Sequence, residues 1–207
     1  MPESLLMFIA VAGGAALGIG IDRLAQTLPG EPPKLSAAWR QRRRFLLVLG
    51  MGLTCGYLVW RFGVTPRLLV AVWYAALFFL ISAIDLEHRL VLNIIMYPAI
   101  ILAPGTGMLW GLHPVAIAFG GVIEFGLFFL SAVLLRGSVA AGDVKLGAFL
   151  GLIAGYPLVI RAMVYTGLLS GVVSVALLLL RIKSRKDYIP FAPFMVWGTA
   201  AALLFST

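Results

Sequence analysis

Residues 114 to 135, PVAIAFGGVIEFGLFFLSAVLL, carry a single charge, at Glu124. A helix needs roughly 20 mostly apolar residues to cross a bilayer core, and a backbone surrounded by lipid must close its own hydrogen bonds, as a helix does. Stretches of this kind recur at residues 4–21, 45–61, 67–84, 90–110, 114–135, 143–157, 159–180 and 190–206. The chain is 62% hydrophobic and 12% charged, whereas a soluble domain lies near half apolar and a quarter charged. The expectation is an all-α, polytopic integral membrane helix bundle with about eight transmembrane helices. It forms one membrane-embedded domain over residues 1–207, with residues 22–44 as a cytoplasmic loop within it. The sixth stretch is short, rich in glycine and opens with charges; without it the count is seven. Gly155-Tyr156-Pro157 reads as its tight exit turn. Glu3 stands where a cleaved signal would carry basic residues, so residues 4–21 read as a retained span.

The net charge of +8 would suit nucleic acid if it formed a surface. Instead, of the 16 Lys and Arg residues, all but Arg61, Arg67 and Arg161 fall in or beside the odd-numbered connections. The positive-inside rule places those connections in the cytoplasm and both termini outside. The basic balance is therefore a topology signal: no nucleic-acid partner is expected, and the partner of segments such as LSAAWRQRRRF, with Trp39 among its arginines, is membrane lipid. A lone cysteine, Cys55, excludes an internal disulfide framework and a four-thiolate zinc site. His88 and His113 fall on opposite sides, so no metal site and no cofactor are expected. No oligomeric state follows from these features.

The same orientation puts two aspartates at one membrane edge. Asp85, in SAIDLEHR, ends the third span, and Asp143, in VAAGDVKL, begins the sixth. Two carboxyls brought within a few ångströms cannot both ionise easily; one keeps a proton and serves as acid while the other activates water. A helix N-terminus favours the charged form of Asp143 and a helix C-terminus disfavours that of Asp85, which makes Asp143 the base and Asp85 the acid. Gly142, lacking a side chain, lets backbone approach Asp143 or an extended substrate. The competing explanation is that membrane-edge aspartates face water or cap helices.

At these residues the chain resembles the type IV prepilin peptidases, the membrane aspartic peptidases that include preflagellin peptidases. The family pattern Gly-x-Gly-Asp-x-Lys-Leu is matched by Gly142-Asp143-Val144-Lys145-Leu146, with Ala140 at the first glycine. The family's second aspartate precedes by eight positions the Asn of an Ile-Pro-Asn element; here Asp85 precedes Asn93, with Leu92 in place of the proline. Ile189-Pro190-Phe191-Ala192-Pro193-Phe194 resembles the Ile-Pro-Phe-Gly-Pro segment before the last span, with Ala192 replacing glycine. The resemblance implies Asp85 and Asp143 as the catalytic pair. It implies an inner-membrane enzyme with its active site facing the cytoplasm, and as partner a pilin, pseudopilin or flagellin-type precursor with a short basic leader and a hydrophobic helix. Many bacterial relatives also methylate the new amino terminus and carry a loop with two Cys-x-x-Cys pairs. This chain lacks those pairs, so the resemblance implies the peptidase without the zinc-bearing loop and leaves methylation open.

The remaining polar residues divide between site and scaffold. Lys145, two residues past Asp143, can bias the aspartates or contact a substrate carbonyl, and a membrane-edge anchor accounts for it as well. Glu87 can attract a basic leader, although beside His88 and Arg89 it reads more simply as a solvated loop charge. Asn93 supports the site through its motif. Glu124 lies mid-span, where charge turns towards protein. Gly13, Gly14, Gly18, Gly120, Gly121, Gly167 and Gly171 read as sites of close helix packing. The alternative of another class is a proton- or ion-coupled transporter or non-enzymatic pilus-assembly protein using Asp85, Glu124 and Asp143. It requires charge along a continuous membrane path. An intramembrane peptidase would hold its aspartates deeper than flanking Arg89, Arg136 and Lys145 suggest.

Overall fold

The computed structural model describes residues 3–30, 36–134, 140–181 and 189–205. Within them the chain forms eight helices and no strand. They are α1 (Glu3–Thr27), α2 (Ala37–Phe62), α3 (Pro66–His88), α4 (Asn93–Leu109), α5 (Pro114–Leu134), α6 (Ala141–Ala154), α7 (Leu158–Leu179) and α8 (Ala192–Leu204). Each apolar stretch of the sequence has its helix. α1, α2, α3, α5 and α7 are long and apolar enough to cross a membrane, and α4 and α8 are shorter apolar helices. Lys34, Arg136, Lys183, Arg185 and Lys186, which weigh in the orientation argument, lie outside the described residues.

The chain divides into two compact units, Met1–Leu90 and Val91–Thr207. The first holds α1, α2 and α3. Gly14 and Gly18, one turn apart on α1, leave no room for a β-carbon: one would lie 2.6 Å from the Met51 carbonyl oxygen and the other 2.6 Å from that of Leu47. Gly52 and Gly56 of α2 repeat the spacing and face Val11. Backbones that approach this closely gain packing where lipid gives helices no hydrophobic reason to associate. The loop expected over residues 22–44 is much shorter, because α1 continues through Asp22 and Arg23 to Thr27 and α2 starts at Ala37. Ser36 Oγ caps α2 by accepting from the Trp39 N–H at 3.3 Å. A boundary drawn at the first charges cut both helices short. At the other end of α2, Gly63 takes φ 60°, and Pro66 opens α3 at a position that has no intrahelical donor to lose.

The second unit is built around α6, which packs against α4, α5, α7 and α8. Leu146, Phe149, Leu150, Ile153 and Ala154 along it are fully enclosed. The least secure span of the sequence is thus the centre of its unit, and its shortness follows from being sheathed in protein: apolar helices of 10–14 residues are more often buried cores than bilayer crossings. α5 and α6 cross at Gly120 and Gly151, where a β-carbon on either would stand 2.3 Å from the other's carbonyl oxygen. Gly121 and Gly147 are closed by Leu152 and Phe128. α6 ends at Gly155, with φ 65°, followed by a cis Tyr156–Pro157 bond, and the Tyr156 N–H donates to the Ala116 carbonyl at 2.8 Å. α8 meets α7 where Gly198 lies against Thr166. Gly13, Gly167 and Gly171 depart from the packing expectation: no described atom lies within 4 Å of a β-carbon at any of them.

Candidate active site

Asp143 is the third residue of α6. Ala140 is the residue that flanks the helix, and its carbonyl accepts the Asp143 N–H at 3.0 Å. The aspartate therefore does not take the capping position. Its side chain is buried at 6% exposure, which a membrane-edge charge meant for water would not be. Gly142 has a packing reason as well: a β-carbon there would fall 2.9 Å from that of Val91, so the missing side chain makes room for the segment leading into α4.

Lys145 and Asn93 are brought together. Lys145 Nζ donates to Asn93 Oδ1 at 2.7 Å and to the Tyr97 hydroxyl at 3.2 Å, and stands 4.9 Å from the centre of the Tyr97 ring. Asn93 opens α4, and Tyr97 follows one turn later on the same face. Two motifs 52 residues apart are thereby joined by one ammonium group. The third motif reaches the same region by packing. The Phe191 ring lies 6.0 Å from that of Phe128 on α5, and Phe128 covers Gly147, one turn along α6 from Asp143.

In the first unit, Asp85 lies in the last turn of α3 with 5% exposure. Arg89 ends the helix there by adopting φ 57° and ψ 42°, and its N–H donates to the Asp85 carbonyl at 2.9 Å. Glu87 departs from expectation. It is buried at 5% exposure and ion-paired with Arg43 Nη1, where the sequence suggested a solvated charge. The same guanidinium donates through Nε and Nη2 to Asp22 Oδ1 at 3.1 and 2.8 Å, and Gln26 Nε2 donates to Asp22 Oδ2 at 2.7 Å. Burial supplies the reason: a carboxylate removed from water needs a charged donor, and the planar guanidinium fork supplies one. Asp22 and Arg43 were not singled out in the sequence. A signal existed, because Arg43, Leu47, Met51 and Cys55 are four apart and all buried, while Gly14, Gly18 and Asp22 form the same stripe on α1.

Glu124 is also buried, at 2% exposure, with its β-carbon against Gly151. Its Oε2 has no hydrogen-bond partner among the described residues. No group of three or more His, Cys, Asp or Glu residues among the described residues could hold a metal ion.

Compared with known proteins, residues 72–179, more than half the chain, match the profile of the type IV leader peptidase family. Asp85, Glu87, Asn93, Gly142, Asp143 and Lys145 all lie within the matched residues. The chain is similar to the prepilin leader peptidase/N-methyltransferase of Bacillus subtilis (strain 168), 26% identical over 149 residues, 70% of this chain and 59% of that protein. It is equally similar to the protein of the same name from Pseudomonas aeruginosa (strain PAO1), 26% identical over 172 residues, 79% of this chain and 58% of that protein. The chain thus spans under two thirds of the length of these relatives. No solved structure matches.

Proposed function

Because the chain belongs to the type IV leader peptidase family, we propose that it is a membrane aspartic endopeptidase that removes the short basic leader of prepilin-like precursors at the cytoplasmic face of the inner membrane. The observation that carries this reading is the hydrogen bond from Lys145 to Asn93: it joins the Gly-Asp-x-Lys element to the Asn that follows Asp85 by eight residues, as two parts of one site would be joined.

In this reading Asp143, at the start of a helix, takes a proton from water, and Asp85, at the end of one, stays protonated and donates a hydrogen bond to the carbonyl oxygen of the scissile bond. Water oxygen bonds to the carbonyl carbon, the tetrahedral oxyanion is held by the Asp85 hydroxyl, and the proton on Asp143 passes to the leaving amine as the C–N bond breaks. One water is consumed, and a carboxylic acid and an amine are released. Lys145, fixed by Asn93 and Tyr97, ties the start of α6, which carries Asp143, to the start of α4. A backbone within a helix has its carbonyls bonded, so the junction between leader and hydrophobic helix must arrive extended.

The test is cleavage of a precursor with a basic leader and a hydrophobic helix by purified protein, by Asp85→Asn and by Asp143→Asn. Cleavage by the wild type and by neither folded variant supports the acid and base assignment. Turnover that survives either substitution at a similar rate removes it.

A further inference from the structure

We propose that Arg43 is a positioning residue for Asp85: a buried clasp joining α1, α2 and α3 that sets the rotation of the helix turn on which the aspartate rides. The inference rests on the peptidase reading of Asp85. Its three members come one from each helix, Asp22 from α1, Arg43 from α2 and Glu87 from α3, and they have 3%, 6% and 5% exposure. The guanidinium is shared between two carboxylates, with two of its nitrogens on Asp22 Oδ1 and the third on Glu87 Oε2.

Apolar side chains would hold three helices together as well as a buried ionic cluster does, and often better. What the arginine adds is direction, because a planar fork accepts few orientations of its partners. The direction matters at Glu87. This carboxylate lies in the last turn of α3, where the free carbonyls of a helix end disfavour negative charge, and its Oε1 has no hydrogen-bond partner among the described residues. Its placement therefore depends on Arg43. Asp85 comes two residues earlier, about 200° around the helix, so fixing Glu87 on the side of α1 and α2 turns Asp85 to the opposite side. Arg89 breaks the helix immediately afterwards, leaving no further turn to steady it. Asp22 and Arg43 lie outside the residues matched by the family profile, so the clasp draws on a part of the chain that the peptidase reading does not otherwise use.

The test uses the full chain with the sole cysteine removed, Cys55→Ala, and a spin label on Leu86→Cys, an exposed position in the same turn. Three variants are compared: Arg43→Met, Arg43→Lys, and the combination Asp22→Leu, Arg43→Met and Glu87→Leu, which leaves no buried charge unpaired. Label mobility is expected to rise in all three, least in Arg43→Lys. In the unlabelled protein, kcat for precursor cleavage is expected to fall by about ten- to a hundredfold, as small misplacements of a reacting group do, while KM stays nearly unchanged. A folded triple variant with the mobility and kcat of the wild type would show that packing alone holds the turn, and the clasp would be abandoned. If the triple variant does not fold, Arg43→Lys decides: it keeps the charge and loses the fork, so wild-type mobility and kcat there also overturn the proposal. If the wild type cleaves no precursor, the peptidase reading has failed instead, and the label still reports whether the clasp orders the turn.

Discussion

Replacing Gly120 by alanine places a β-carbon 2.3 Å from the Gly151 carbonyl oxygen, 2.7 Å from Gly155 Cα and 2.9 Å from Gly155 C. All three obstacles are backbone, so no side chain can swing away. Ordinary contact begins near 3.4 Å, and α5 and α6 must open by about 1 Å, a gap that forfeits up to half the dispersion energy of the contacts on either side. Overpacking of this kind costs about 1–3 kcal/mol, and backbone obstacles put it near the upper end. Alanine returns about 1 kcal/mol of helix propensity, leaving a net loss of about 2 kcal/mol. Gly126 on the same helix is the matched control, since nothing lies within 4 Å of a β-carbon there. Gly126→Ala is expected to be neutral or to gain up to about 1 kcal/mol. Unfolding of each variant by dodecyl sulfate titrated into mild detergent micelles measures the difference, expected to be about 2–3 kcal/mol. If the two alanines shift stability together to within about 0.5 kcal/mol, the tight crossing does not hold α5 to α6.

Two further outcomes follow from the second unit. Lys145→Met and Asn93→Ala each remove the same hydrogen bond, so their effects on precursor cleavage are expected to overlap: the double variant should lose little more than the worse single variant, and a fully additive loss would show that the residues act separately. Glu124→Gln keeps the shape of a buried side chain and is expected to leave folding and cleavage near wild type, whereas abolition of activity in folded Glu124→Gln would return weight to a proton-carrying role.

What could be read in the sequence depended on whether the signal lay along the chain or across it. All eight helices were legible because apolar length is a property of consecutive residues, and α6 was doubtful for the physical reason that a helix enclosed by others need not be long. Asp143, Lys145 and Asn93 were legible as residue types in a pattern. Their contact was not, since 52 residues separate Lys145 from Asn93 and only packing determines which helix faces which. Arg43 was hidden by its neighbours: in Arg40-Gln41-Arg42-Arg43-Arg44 a run of like charges looks like a lipid anchor, and the one that turns inward is revealed only by extending the helix backwards from Leu47. Glu87 was hidden with it, because a carboxylate beside a histidine and an arginine looks solvated until its partner is found on another helix.

The enclosure of α6 also bears on how the protein is made. Its 14 residues amount to about 21 Å of helix, short of a bilayer core about 30 Å thick. Its first five residues include Asp143 and Lys145, which a membrane-insertion machinery admits reluctantly. During synthesis α6 emerges after α4 and α5 and before α7 and α8, two of the four helices that surround it. Half of its sheath therefore follows it out of the ribosome, while Asn93 and Tyr97, which receive its lysine, and Gly120, which meets its backbone, precede it. Order along the chain thus makes α4 and α5 the part of the sheath available first to the segment bearing Asp143, with α7 and α8 following it.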